Sequence, residues 1–300
     1  MLSKGKYSYK LHQNTFKNFA TNEKTLKLRI KSVSSIAKIT KAMKMVSSSK
    51  MKAELNRLSN GKKFGHEAVE KVFVSDTYIQ KKAQSYQGGN RTLYVPFTSD
   101  KGLCGGINSS IVREVKSMLL NSPHRANCGI YVVGDKGCSA FARPFPDILK
   151  KGFHEILTPL NYTTAASIAN DVGIASNNYD KVVLVYNTYK SAVSTVLTKT
   201  ELYPRNKFLE LMNAGKTYFQ KVPDKHTSGP SLYDLYLASN IYHAMLNNLA
   251  SEQSARMNAM ENASKNAREI VQKLLLEYNK ARQARITMEL VEIISGASAV

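Results

Sequence analysis

Residues 231–295 read SLYDLYLASNIYHAMLNNLASEQSARMNAMENASKNAREIVQKLLLEYNKARQARITMELVEIIS, bounded by Pro230 and Gly296, with neither Gly nor Pro between them. Stepping alternately by three and four residues from Leu246 visits Leu249, Gln253, Arg256, Met260, Ala263, Ala267, Ile270, Leu274, Glu277, Ala281, Ala284, Met288, Val291 and Ser295. Eleven of those fifteen positions are apolar or Ala, a heptad seam kept for seven repeats. Ser231 with Asp234 three residues on offers a capping box, and Gly296 stands where a left-handed C-cap would fall. At ~1.5 Å per residue such a helix is roughly 100 Å long, far more than one globular core needs.

An apolar seam of this length requires a partner helix. From Lys6 to Asn60 the chain again lacks Gly and Pro, and Gly61 closes the run. Thr21 or Asn22 can cap a helix that carries Glu23 in its first turn, where a carboxylate suits the helix dipole. Apolar steps follow at Leu26, Ile30, Val33 and Ala37, then, shifted by one residue, at Ile36, Ile39, Met43 and Val46. The pattern reads as two long helices from opposite ends of the chain, wound antiparallel around each other. The alternative is that each pairs with another chain.

The net charge of +21 is unevenly distributed. Residues 1–60 hold fourteen Lys or Arg against Glu23 and Glu54, whereas residues 231–300 hold seven basic and seven acidic residues. A basic helix beside a neutral one suits an acidic surface, nucleic acid or anionic lipid. Residues 1–20 carry four lysines and no acid, which fits either a cleavable transit peptide or a basic tail. No apolar run is long enough to span a membrane. Cys104, Cys128 and Cys138 are odd in number and show no metal spacing, which fits reduced thiols.

Between the helices, residues 61–90 lose periodicity and end in Gln87-Gly88-Gly89-Asn90, a linker. Strand patterns at Arg91–Phe97, Ile130–Val133 and Lys181–Tyr186, a weaker one at Phe153–Ile156 and an edge at Ser194–Leu202 alternate with helical patterns. Those helices fall at Ile111–Leu119, around Ser139 and at Thr164–Ser176. This alternation predicts an α/β domain over 91–205 with a mostly parallel sheet, followed by a loop over 206–230. The expected architecture is a long antiparallel coiled coil of the N-terminal (21–60) and C-terminal (231–300) helices with an inserted Rossmann-like α/β domain.

No constellation for chemistry emerges. Gly102, Gly105 and Gly106 after the first strand do not form G-x-G-x-x-G, and no Gly-Lys-Ser or Gly-Lys-Thr follows, so a tight turn explains them better than a phosphate cradle. The six histidines lack a zinc-binding spacing. The expectation is no catalytic, cofactor or metal site. A nucleic-acid binder would explain the basic helix through phosphate neutralisation, but the long helix is neutral and no stacking motif or groove reader is present.

Four collinear segments resemble signatures of the ATP synthase gamma-subunit family. They are Lys38-Ile39-Thr40-Lys41-Ala42-Met43-Lys44-Met45-Val46, Ser99-Asp100-Lys101-Gly102-Leu103-Cys104-Gly105-Gly106-Ile107-Asn108, Leu249-Ala250-Ser251-Glu252-Gln253-Ser254-Ala255-Arg256-Met257 and Glu289-Leu290-Val291-Glu292-Ile293-Ile294-Ser295-Gly296-Ala297. The resemblance covers residues 21–300 and implies the central-stalk rotor shaft of an F-type ATP synthase, with no chemistry of its own. It implies as partners a hexamer of alpha and beta subunits, the membrane rotor ring and the small central-stalk subunits, and no nucleic acid. By position, Met43 and Lys44 match the family's segment facing an acidic loop of beta, and Gln253 and Arg256 pair with that region from the other helix. Arg282, Gln283, Thr287 and Glu289 match an upper contact with the hexamer, and residues 293–300 match a tip seated in an apolar bearing. The Asp100–Asn108 loop is expected to be mainly structural. Ala37 and Ser47-Ser48-Ser49 depart mildly from the family pattern, and the thiol-switch insertion of the chloroplast form is absent. With the basic leader, this points to a peripheral protein on the matrix side of the mitochondrial inner membrane.

Overall fold

The computed structural model describes residues 3–63, 91–156, 158–213 and 225–298, with side chains described over 23–63, 91–156, 158–210 and 228–298. In order, the elements are α1 (Ser3–Gly61), β1 (Thr92–Pro96), α2 (Ile107–Asn121), β2 (Gly129–Val133), α3 (Asp135–Ala142), β3 (Leu149–Phe153), α4 (Tyr162–Ser176), β4 (Lys181–Tyr189), β5 (Thr195–Leu202), α5 (Arg205–Asn213) and α6 (Lys225–Ala297). The chain divides into two compact units, a body of residues 46–259 and a helical unit of residues 1–45 with 260–300.

The body is built on a five-stranded sheet of order β3-β2-β1-β4-β5, parallel except for β5. Alternation along the strands sends side chains to two different cores, as the two-residue pleat requires. Val183 and Val185 of β4 join Tyr94, Ile130 and Val132 on one face, against Ile111, Val115 and Leu119 of α2 and Phe141 of α3. Val182, Leu184 and Tyr186 join Leu93 and Val95 on the other, against Ile168 and Val172 of α4 and Tyr233, Leu237 and Ile241 of α6. A sheet covered on both faces explains why β1 is buried at every residue. Gly134 makes the turn from β2 into α3 at φ 101, where an added Cβ would lie 2.3 Å from the Thr98 carbonyl oxygen, so only glycine fits.

In the helical unit the two long helices run antiparallel. Glu23 pairs with Arg285 at 2.9 Å, Ser264 reaches the Ala37 carbonyl at 3.5 Å, and Lys44 pairs with Glu261 at 3.1 Å. Each step up α1 is thus matched by a step down α6. The protected positions of α1 include Glu23, Leu26, Ile30, Val33, Ala37, Thr40 and Lys44, with Ser34 and Met43 beside them. Those of α6 include Met260, Ser264, Ala267, Val271, Leu274, Tyr278, Ala281, Arg285 and Met288, with Glu261, Ala263, Ala284 and Glu289 beside them. Both series alternate three- and four-residue steps, the spacing of knobs-into-holes packing.

Several sequence expectations are corrected. On α1 the seam does not shift by a residue. It continues through Thr40 and Lys44, leaving Ile36 and Ile39 exposed at 49% and 59%. On α6 most of the expected seam from Met260 on stands (Met260, Ala263, Ala267, Leu274, Ala281, Ala284, Met288), but Ile270, Glu277, Val291 and Ser295 are exposed, and Ser264, Val271, Tyr278 and Arg285 join the inner face. The pairing continues past Glu277, as the Glu23–Arg285 pair shows. Helix α1 starts at Ser3 rather than at a Thr21 or Asn22 cap, since no proline interrupts propagation. Helix α6 starts at Lys225 and runs through Pro230, so Ser231 is no cap; the hydrogen bond lost at the proline is offset by burial of Tyr233 and Leu237 just beyond it. Gly296 lies inside the last helical turn. The third strand is Leu149–Phe153, earlier than expected, and the stretch expected as a loop carries α5 and the start of α6. Most of the expected linker, residues 64–90, lies outside the described residues.

Candidate functional site

In an open α/β sheet the ligand crevice opens beyond the C-terminal ends of the strands, where the strand order reverses. Here that point lies between β1 and β4. The chain's own helix α6 fills it. Asn187, near the end of β4, donates from Nδ2 to the Ile107 carbonyl at 3.3 Å and to Asn248 Oδ1 at 3.4 Å. Ser251 Oγ donates to the Asn187 carbonyl at 3.1 Å, and Ser254 Oγ and Asn258 Nδ2 both donate to the Ala192 carbonyl, at 2.8 and 2.7 Å. A helix buried on every side is usually apolar. This one is polar through Asn247, Asn248, Ser251, Glu252, Gln253, Ser254 and Arg256, all buried, and carbonyls far away in sequence satisfy much of that polarity.

Arg256 closes the arrangement. It is 8% exposed, pairs with Glu252 at 2.6 Å, and donates to the carbonyls of Lys101 and Gly102 at 3.4 and 3.2 Å. Burial pushes the Glu252 carboxyl above the usual range, and the Arg256 charge and hydrogen bond pull it part of the way back. The loop that Arg256 holds is also tied internally. Asp100 accepts from the backbone N–H of Asp135 and Ile156, at 2.9 and 3.1 Å, and Asn108 accepts from the Ser99 N–H at 3.0 Å. The loop expected to be mainly structural thus forms a turn pinned to α6.

The remaining candidates lie in the helical unit. Met43 is half-buried, and Lys44 pairs with Glu261, whose carboxyl the Lys44 hydrogen bond and charge hold below the usual range. Arg282, Gln283 and Thr287 are exposed, and Glu289 approaches Arg285 at 3.7 Å. Of the twenty large hydrophobic side chains exposed among the described residues, twelve belong to this unit, including Leu290, Val291, Ile293 and Ile294 near its end. Apolar exposure concentrated in this way marks a surface that another chain covers.

The structure pairs Arg256 with Glu252 in the body, buries Gln253 there, and leaves Arg282, Gln283 and Thr287 exposed on α6. The donors of Arg256 are taken up within the body. Sequence reasoning passed over Glu252, Asn187, Asn248 and Glu261. The available signal was the four-residue Glu252–Arg256 spacing, which places the two on one helix face.

Comparison with known proteins gives a consistent result. A family model described as ATP synthase matches residues 22–300. The ATP synthase gamma chain of Pelagibacter ubique is 33% identical over 286 residues, covering 92% of this chain and 98% of that one. The mitochondrial ATP synthase F(1) complex subunit gamma of Dictyostelium discoideum is 33% identical over 289 residues, covering 95% and 93%. Among solved structures, a chain of the central stalk and c-ring of the Tetrahymena thermophila mitochondrial ATP synthase is 47% identical with a TM-score of 0.67, covering 75% of this chain and 99% of that one. A chain of the Euglena gracilis mitochondrial ATP synthase, 21% identical with a TM-score of 0.78, shares the fold over 93% of this chain.

Proposed function

The chain belongs to the ATP synthase gamma-chain family, and from that premise we propose that it is the central-stalk rotor subunit of a mitochondrial F-type ATP synthase, peripheral to the inner membrane on its matrix side. It couples rotation of a proton-driven membrane ring to conformational change at the catalytic sites of an alpha–beta hexamer, and it catalyses nothing itself. The observation that carries this reading is the 47% identity to a central-stalk chain, spanning nearly all of that chain. The exposed apolar residues of the helical unit support it independently, because a shaft inside a ring needs a surface for the ring to cover.

The mechanism follows from asymmetry. Two paired helices with different side chains on every face lack threefold symmetry, so each orientation offers different contacts to three equivalent catalytic sites. A contact that binds one conformation of a site more tightly than another shifts that site's population by the difference. Met43, Lys44, Arg282, Gln283, Thr287 and Glu289 are the residues proposed to make such contacts. Lys44 suits the role because its pair with Glu261 is half-exposed, with side chains 38% and 36% accessible, and such pairs exchange partners at little expense. Gln253 and Arg256 are assigned a positioning role, setting α6 against the body rather than touching the hexamer.

Affinity purification of the tagged chain from its own cells tests the reading. Alpha, beta and ring subunits should elute with it in constant ratio. Recovery of the chain alone, or with nucleic acid, would overturn it.

A further inference from the structure

A groove of about 700 Å³ runs between α2 and α3 on the surface of the body, closed at one end by the Gly102–Gly105 loop. No residue of α6 lines it, and it takes no part in the function above. Along α2 it is lined by Val112, Lys116 and Leu120, spaced four residues apart, so it follows the helix axis for about two turns. Leu103 and Leu120 stand 63% and 66% exposed, flanked by Arg113, Lys116 and Lys136.

None of the lining residues carries a carboxylate. Arg113 and Lys116 have no acidic partner among the described residues, and Lys136 reaches only its neighbour Asp135, at 3.6 Å. The loop supplies a second observation. Leu103 sits at φ 61, a backbone conformation that disfavours any residue with a side chain. The chain keeps a leucine there, exposed, while Arg256 fixes the two preceding carbonyls from inside the body. A loop held in this way presents an apolar side chain at a fixed position, as a docking surface requires.

We infer that this groove docks an amphipathic helix of a partner subunit, with an apolar ridge seated between Leu103 and Leu120 and carboxylates facing Arg113, Lys116 and Lys136. A linear strip along one helix suits a second helix laying its own four-residue ridge alongside. The one-signed rim selects for acid and against base. A small anion would satisfy the cations but leave both leucines in water. The inference rests on the chain being assembled as a stalk subunit.

The test places a photo-crosslinking amino acid at Leu120 in the tagged chain, purifies the complex after irradiation and maps the adduct. Expected is a segment of another subunit with apolar residues at three- and four-residue spacing flanked by Asp or Glu. Adduct yield should fall about tenfold in the Arg113→Glu, Lys116→Glu double variant, with the melting midpoint unchanged because both side chains lie at the surface. Adducts confined to this chain, adducts to a basic or extended segment, or no adduct in an intact complex would overturn the inference. Loss of the adduct in millimolar inorganic phosphate, with the complex intact, would make the groove a small-anion site and overturn it equally. A chain that purifies without alpha and beta would instead overturn the stalk reading itself, and the inference with it.

Discussion

Helix α6 carries two ion pairs within ten residues of sequence, and they behave in opposite ways. Glu252 and Arg256 lie 2.6 Å apart in the body with side chains 11% and 10% exposed, and burial drives the Glu252 carboxyl upward. Glu261 and Lys44 lie 3.1 Å apart in the helical unit with side chains 36% and 38% exposed, and there the lysine holds the carboxyl down. Glu252 is raised because desolvation outweighs its partner's charge and hydrogen bond, whereas at the solvated pair the partner's hydrogen bond, followed by its charge, decides. The body uses the polar groups of α6 as internal fasteners, and the helical unit leaves its own available at the surface. Two jobs are thereby divided along one helix.

The largest effect should come from breaking the inner fastener. Arg256→Ala strands a buried carboxyl and leaves the Lys101 and Gly102 carbonyls without their donor, so urea unfolding of the chain should show a loss of about 3–5 kcal/mol. Arg256→Lys should recover only part of it, because an ammonium cannot span both carbonyls and Glu252 as a guanidinium does. A loss no larger than that of a surface substitution would mean that Arg256 is not a fastener.

Next in size is a contrast between the two cores. Leu237→Ala removes a side chain 1% exposed and should cost about 2–5 kcal/mol. Leu274→Ala in the half-buried seam should cost less than half as much, since solvent already reaches part of the side chain. Equal losses would show that the seam is packed like the body.

The pH dependence separates the two pairs by sign. For Glu252 the folded carboxyl titrates above the reference value of 4.5, so its contribution is present below that value and fades as pH rises through the raised one. For Glu261 the folded carboxyl titrates below 4.5, so its contribution is present above that value and fades as pH falls through the lowered one. Glu252→Gln and Glu261→Gln should therefore flatten the stability profile on opposite sides of that value. Changes of the same sense in both variants would contradict the comparison.

The smallest effect on folding belongs to Lys44→Ala, which should leave the melting midpoint of the body unmoved. In the assembled enzyme the same variant should weaken the coupling of ATP synthesis to proton flow. A fall in melting point with coupling intact would reverse the assignment.

The fold was largely legible because its signals are local. Alternation in Lys181–Tyr186 and four-residue spacing in Ile111, Val115 and Leu119 specify strand and helix directly. The absence of proline over 231–295 marks the long helix in the same way. The seam register was legible in most positions but not all, because Ser264, Tyr278 and Arg285 occupy inner positions while the apolar Ile36, Ile39 and Ile270 face outward. An apolar residue that awaits another chain reads in sequence like one that awaits the core. The role of Arg256 was legible only in its four-residue spacing from Glu252. Its other acceptors are backbone carbonyls more than a hundred and fifty residues earlier, which no pattern of side chains announces.

The rotor assignment is tested most directly by watching the chain turn. With the alpha–beta hexamer immobilised, a bead can be attached to a cysteine replacing Val193, which is 87% exposed at the tip of the β4–β5 hairpin. Addition of ATP should drive sustained rotation of the bead in one direction, stopping when ATP is exhausted. A bead that only fluctuates while the hexamer hydrolyses ATP at its full rate would contradict the account.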